Sequence, residues 1–436
     1  MSEEQDIHVH HITRVEGHGD LTVKLINGKL HDVQFAVIEA PRFFESFLLG
    51  NLYDEVTHMA SRICGICAVS HNNAALKATE AALGVEVSDQ TRLLRRLSLH
   101  GELLGSHALH IFFLALPDYF GAASIFELLG SHRDDVLRGM RLKKLGYDLS
   151  AAVVGRHIHP VSTCVGGYSF VHSEARLSEM RQELERAIED IKASVRLFRT
   201  IALPEFERET EYVSLRHPYH YPVYEGDLYS SDGHSIGAEE YKEVIQEYVV
   251  PYSTAKYARW NRPQYMVGAL ARINNNYVRL NPLAKETAEG LGLRIPCFNP
   301  FKIMIAQLVE CAHVVEESIN FIDILLGRGI HEEEERAPVP RKPGRGVGAV
   351  EAPRGTLFHE YEYDANGRCT AVNQVIPTAQ NLGNLEADLR AYATSISDGS
   401  VAAIEDQLSM LVRAYDPCIS CSTHLVKLPL QKANSI

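Results

Sequence analysis

The sequence predicts an α+β protein, mainly helical, built as one large unit. Two observations carry this. Long stretches with apolar residues at three- and four-residue spacing fill the middle of the chain, and short β-like segments sit near its two ends, each with an Asn-Gly pair. No repeat, low-complexity tract or obvious linker divides the 436 residues, which are enough to bury a large core.

In chain order, segments 20–26 and 30–38 are rich in Val, Leu and Ile, with Asn27-Gly28 between them as a two-residue hairpin turn. Residues 7–39 therefore form a β-rich start. A helical body is expected over 42–328. Within it, 90–116 reads as a long buried helix free of proline. The stretch 173–198 is the clearest amphipathic helix, with Leu177, Met180, Leu184, Ala187, Ile191, Val195 and Phe198 on one side. A further helix over 306–326 stops at Gly327, read as its cap. A charged, proline-rich loop and a β segment cover 331–377, with Asn366-Gly367 as a second hairpin turn. Helix returns over 384–415, inside a C-terminal region, 384–424, that ends in a cysteine motif.

Composition narrows the function. Lys plus Arg number 43 against 56 Asp plus Glu, a net charge of −13, which argues against nucleic acid as a partner. The first residues are acidic and polar, unlike a signal peptide, and the apolar run 111–116 is cut short by Pro117 and Asp118, so no membrane span is expected. Eight cysteines in a chain this long do not make a disulfide scaffold, and the expected setting is a reducing cytoplasm.

Four of those cysteines form two Cys-x-x-Cys pairs, Cys64 with Cys67 and Cys418 with Cys421. A two-residue gap lets both sulfurs face one centre. United by the fold, the pairs would make a four-thiolate site for a soft metal: zinc, iron–sulfur, nickel or copper. Each pair alone would serve as a redox dithiol. Cys164, Cys297, Cys311 and Cys369 are isolated and read as buried thiols. His8, His10 and His11 read as solvent-facing.

The flanks of the pairs carry more. Arg62-Ile-Cys-Gly-Ile-Cys-Ala-Val-Ser-His71 and Asp416-Pro-Cys-Ile-Ser-Cys-Ser-Thr-His424 resemble, at every fixed position, the two nickel-binding signatures of the large subunit of [NiFe]-hydrogenases. Thr13-Arg-Val-Glu-Gly-His18, Glu39-Ala-Pro-Arg-Phe-Phe-Glu45, Ser106-His-Ala-Leu-His110, Gly155-Arg-His-Ile-His-Pro160, Ala352-Pro-Arg-Gly355 and Ile376-Pro-Thr-Ala-Gln-Asn381 extend the resemblance over most of the chain. Nothing specific is recognised over 131–146 and 205–260.

The resemblance implies the fold shared by these large subunits and the quinone-site subunit of respiratory complex I. It also implies reversible cleavage of dihydrogen into protons and electrons. Cys64 and Cys418 would be terminal nickel ligands, and Cys67 and Cys421 would bridge nickel to an iron carrying cyanide and carbon monoxide. By residue type alone Arg354 is a loop arginine and Glu16 a strand-end glutamate. The resemblance sets Arg354 over the metals and makes Glu16 the acceptor of a proton from Cys418. It gives Thr378 a hydrogen bond to a cyanide, makes Pro353 and Ile376 apolar wall, and places Arg62, His71 and Asp416 just behind the ligands. Glu45, the carbonyl near Gln374, and His424 resemble a magnesium site.

No cysteines remain for an iron–sulfur chain, so electrons must leave through a small subunit carrying such clusters. Beyond it lie further electron-transfer subunits (flavin, NAD(P) or ferredoxin type) feeding NAD(P), ferredoxin, a deazaflavin or a heterodisulfide reductase. A protease is expected to remove 425–436 after His424. Two alternatives stand beside this one: a zinc-stabilised structural protein, and a complex I quinone-site-like subunit, whose homologues lack the cysteine pairs.

Overall fold

The N-terminal strands alternate apolar and polar residues, and they form a three-stranded antiparallel sheet of Glu4–Val9 (β1), Gly19–Ile26 (β2) and Lys29–Val37 (β3), in that order. Leu21, Val23, Val33, Phe35 and Val37 turn inward with a period of two. The computed structural model describes residues 4–26 and 29–423; the Asn27-Gly28 turn and everything from His424 onward lie outside them.

Five helices form most of the body: Ala68–Leu83 (α1), Asp89–Ala108 (α2), Arg133–Val154 (α3), Glu174–Phe198 (α4) and Ile303–Arg328 (α5). α4 begins at Ser173, whose hydroxyl accepts from Arg176 N, and buries Leu177, Met180, Leu184, Ala187, Ile191 and Phe198 as the spacing requires. α5 runs past Gly327 to Arg328, and the chain leaves it at Gly329 with φ +80°, so Gly329 rather than Gly327 ends the helix.

The long helix expected over 90–116 is a continuous helical run over Asp89–Tyr119 that widens to π geometry at Leu109–Ala115. By length and composition this run would suffice to cross a membrane, but most of it is buried inside the protein. Widened turns of this kind inside α-helices are frequent at functional sites. Here the widened segment carries His110, which meets Gln307 Oε1 at 2.5 Å and the Arg413 carbonyl at 2.7 Å.

The helical body expected over 42–328 is not wholly helical. A four-stranded sheet interrupts it, in the order Tyr265–Met266, Glu211–Arg216, Asp227–Ser230, Ser235–Ile236. These strands are short, and Glu211–Leu215 is buried on both faces, so it shows no alternation to betray it.

The C-terminal sheet comprises Gly344–Ala352 (β4), Gly355–Tyr363 (β5) and Cys369–Val375 (β6). β4 was not expected, because glycine and proline surround its start. Its glycines are what the fold needs. A Cβ at Gly344, Gly346 or Gly348 would lie 2.0, 2.2 and 2.1 Å from the carbonyls of Ala82, Ala78 and Ala74. Alternate residues of β4 thus lie directly on one stripe of α1, backbone against backbone. The helical stretch expected over 384–415 is two helices, Pro377–Ser395 (α6) and Val401–Ala414 (α7), broken before Ser400, which caps the second by accepting from Ala403 N.

Candidate metal centre

Each cysteine pair sits where a turn becomes a helix. Cys64 follows the turn Ser61–Ile63, and Cys67 immediately precedes α1. Cys418 precedes the short helix Ile419–Ser422 (α8), which contains Cys421. The fold brings the two pairs together: all four sulfurs lie within 4.8 Å of one another and all four residues are buried. Cys64 Sγ is 3.4 Å from Cys418 Sγ, and Cys67 Sγ is 3.7 Å from Cys421 Sγ. Backbone N–H groups of Ile66 and Cys67 point at Cys64 Sγ at 3.2 Å, a polar environment suited to a thiolate.

Two contacts lock the C-terminal pair. The Glu16 backbone pairs with Cys418 as a short parallel bridge, and the Glu16 carboxylate accepts from Ser420 N at 3.0 Å and from the Ser420 hydroxyl. This close approach depends on Gly17, with φ +86°, where a Cβ would lie 2.8 Å from Ile419 Cβ. Thr378 Oγ1, in the first turn of α6, accepts from Cys418 N at 3.0 Å. Glu16 is only half-buried, so it lies between the cysteine segment and solvent.

Arg354 occupies the two-residue turn between β4 and β5. Its guanidinium donates to the Asp416 carbonyl at 2.7 Å and to Asp416 Oδ1 at 2.8 Å, and it approaches Ser106 Oγ at 3.4 Å. Asp416 itself adopts φ +51° just before Pro417, a costly conformation for a non-glycine residue, and is held there by Arg354 and by Gln307 Nε2 at 3.1 Å. A small cavity of about 10 Å³ beside the sulfurs is lined by His71, Arg354, Leu357, Ile376 and Thr378 together with three of the cysteines.

Some expected neighbours stand elsewhere. Pro353 lines the adjoining cavity with Gln307 and Asp416, while Ala352 and Leu357 join Ile376 as wall. Arg62 is exposed, and its carbonyl accepts from Arg42 Nη2 at 3.4 Å. His71 lines the cavity, but its Nδ1 faces His359 Nε2 at 3.0 Å rather than a sulfur. Glu45 Oε1 accepts from Gln374 N at 3.0 Å, which places the two together; His424 lies outside the described residues. His8, His10 and His11 are exposed, and Cys297, Cys311 and Cys369 are buried, whereas Cys164, expected with them, is only half-buried.

Other residues gave no signal in the sequence. Glu102 on α2 accepts from Val69 N at 2.6 Å and Ser70 N at 3.0 Å, capping the helix that follows Cys67. Burial, with the nearby Cys64 also opposing ionisation, pushes its carboxyl up to about 8. A lone Glu in a helical pattern gives no hint of such a cap.

The four thiols differ in how readily they ionise. Burial opposes ionisation of Cys64, yet hydrogen bonds from Cys418, Cys421 and Cys67 hold its thiol well below the ordinary value, whereas burial pushes Cys418 and Cys421 well above it. Burial would lower Arg354, but Asp416 and then the cysteines hold it well above its ordinary value, so it stays cationic. His71 is pulled down to about 4, chiefly by burial, and is neutral. Without a metal only Cys64 ionises readily; a soft divalent metal would deprotonate and hold all four sulfurs, which one guanidinium does not do. The arrangement defines a buried soft-metal centre, and the residues present fit one.

Comparison with known proteins agrees. The model of the nickel-dependent hydrogenase family matches residues 42–131 and 213–424. The chain is 32% identical over 424 residues to the alpha chain of sulfhydrogenase 1 of Pyrococcus furiosus, covering 97% of this chain and 98% of that one. It is 31% identical to a chain of the F420-non-reducing hydrogenase of Methanothermobacter thermautotrophicus, covering 97% and 95%. The crystal structure of an NAD+-reducing [NiFe]-hydrogenase in the H2-reduced state superposes with a TM-score of 0.87 at 29% identity, over 96% of this chain and 99% of that one. The chain belongs to the nickel-dependent hydrogenase family, as a large subunit of the [NiFe] type.

Proposed function

We propose that this chain cleaves dihydrogen heterolytically and reversibly at a nickel–iron centre held by Cys64, Cys67, Cys418 and Cys421. The observation that carries the reading is the convergence of four buried sulfurs from two distant segments. Cys64 and Cys418 would hold nickel alone, and Cys67 and Cys421 would be shared with iron. When bound, the pair with its cyanide and carbon monoxide ligands supplies the two-electron acceptor for H–H cleavage.

The chain's own residues do the rest. Leu357, Ile376 and Ala352 keep water from the cavity. Arg354 keeps a fixed positive charge facing it. Thr378 Oγ1 already accepts from Cys418 N, which leaves its proton to donate to a cyanide. Glu16 takes the proton from Cys418 and passes it outward, being half-buried and bound to the Cys418–Cys421 segment. Asp416 holds Arg354, and His71 contributes a neutral wall. Glu45, the Gln374 carbonyl and His424 would hold magnesium, a hard ion that takes oxygen ligands; the Gln374 N–H on Glu45 sets those two residues side by side.

Electrons leave through a small subunit carrying iron–sulfur clusters and further electron-transfer subunits. NAD(P) is the acceptor this reading favours over ferredoxin, a deazaflavin or a heterodisulfide reductase, supported by the likeness to an NAD+-reducing enzyme. The cytoplasmic setting is part of this reading, and none of the eight cysteines is joined in a disulfide. A maturation protease removes residues 425–436, so intact-mass measurement of the matured chain should give a product ending at His424.

Infrared spectra and D2/H+ exchange of the purified, matured complex test the reading without reference to the acceptor. Cyanide and carbon monoxide bands that change under hydrogen are expected. Zinc in place of nickel and iron, with neither band, would overturn it.

A further inference from the structure

The Arg354 side chain is aimed from a turn of only two residues, Pro353 and Arg354, and such a turn does not fix its own direction. A second arginine grips that turn. Arg272, in the helix Ala269–Asn276, is fully buried. It donates from Nη1 to the Ala352 carbonyl at 2.9 Å and from Nη2 to the Pro353 carbonyl at 3.1 Å, the two carbonyls that immediately precede Arg354.

Its remaining donors are anchored on two other elements. Nε and Nη2 reach the two oxygens of Glu310 on α5 at 2.6 and 2.7 Å, and Nη1 reaches Glu351 Oε2 on β4 at 3.0 Å. Glu351 is itself fixed, accepting from Leu215 N and the Thr356 hydroxyl at 2.7 Å each. Every edge of the guanidinium is therefore matched. The same anchor reaches the tip of Arg354 as well: Glu310 meets His107 Nε2 at 2.8 Å, and the adjacent residue, Ser106, faces Arg354 Nη1.

We propose that Arg272 is a positioning residue for Arg354, setting the turn from which that cation faces the sulfurs. Burying an ion pair stabilises a core no better than well-packed apolar side chains do. What the guanidinium adds is direction, through a planar fork that lysine does not have. The proposal rests on the metal-centre reading only for its catalytic consequence; the geometry of the turn is independent of it.

The variant R272K, prepared in the full matured complex, tests this. Backbone amide exchange over 352–356 should quicken at least about tenfold while α2 and β6 keep wild-type protection. Nickel and iron content should be unchanged and the cyanide bands should shift, with D2/H+ exchange turnover down at least about tenfold and KM for hydrogen little altered. Unchanged exchange over 352–356 overturns the proposal. So does acceleration across the whole core with loss of metal, which would make Arg272 a general brace. If R272K does not fold, the isosteric E351Q decides: it removes one anchor, should quicken exchange at the same segment, and overturns the proposal if it does not. If exchange behaves as expected in a complex that shows no cyanide bands, the metal-centre reading fails and the positioning role stands.

Discussion

A single methyl group placed between α1 and β4 probes the packing that relates Cys67 to Arg354. α1 begins next to Cys67, and β4 ends at the Arg354 turn. In G346A the new Cβ would lie 2.2 Å from Ala78 O and 2.3 Å from Ala82 N, against 3.4 Å or more for ordinary contact. Both clashing atoms are backbone, so no rotamer change relieves them, and helix and strand must part by about 1 Å. Overpacking of this kind costs about 3 kcal/mol. The alanine returns about 0.5–1 kcal/mol by stiffening the unfolded chain, because Gly346 has no positive φ to preserve. The net loss is about 2 kcal/mol, which should quicken amide exchange in α1 by about thirtyfold. Adding A78G should not rescue it, since the obstacle is the Ala78 carbonyl. G327A is the matched control: the site is exposed in the last turn of α5 with nothing within 4 Å, and alanine there should stabilise by up to about 1 kcal/mol. If α1 exchanges within about twofold of wild type in G346A, the backbone-contact account is wrong.

Other outcomes follow from single groups. Burial pulls His313 down to about 4, with Glu310 opposing, and its Nδ1 accepts from Asn281 N. The unfolded chain protonates first, near 6.5, so stability is lost as pH falls from there toward 4, by at most about 3 kcal/mol. H313N keeps an acceptor without the titration, and chemical denaturation at pH 7 and pH 4 should show that part of the acid loss gone. T378V leaves the buried Cys418 N–H without its acceptor, at a cost of about 1–3 kcal/mol, while T378S should match wild type in thermal unfolding and iron content. E16Q keeps an acceptor for Ser420 N but takes up no proton; D2/H+ exchange should fall at least about a hundredfold with metal content intact. Retained exchange would remove Glu16 from the proton path.

Much of the site was legible because its chemistry is local in sequence. Each cysteine pair travels with its own neighbours, and α4 shows its buried face in plain periodicity. What escaped notice depends on contacts between distant segments. β4 carries alternate glycines that look like a loop until Ala74, Ala78 and Ala82 are laid against them. Glu211–Leu215 is buried on both faces and so has no alternation to read. Glu102 and Arg272 look like ordinary helix residues, and only the tertiary fold gives them a helix end or a turn to hold. For Arg62 and Pro353 motif membership gives no position: one is exposed, and the other lines the cavity next to the cysteines.

Nickel-edge X-ray absorption of the matured complex tests most directly whether the four converging sulfurs bind the metal. The account predicts a nickel whose first shell is dominated by sulfur, with an iron neighbour, and loss of that shell when Cys418 is replaced by serine. A nitrogen- or oxygen-bound nickel with no iron beside it, unaffected by that replacement, would contradict it.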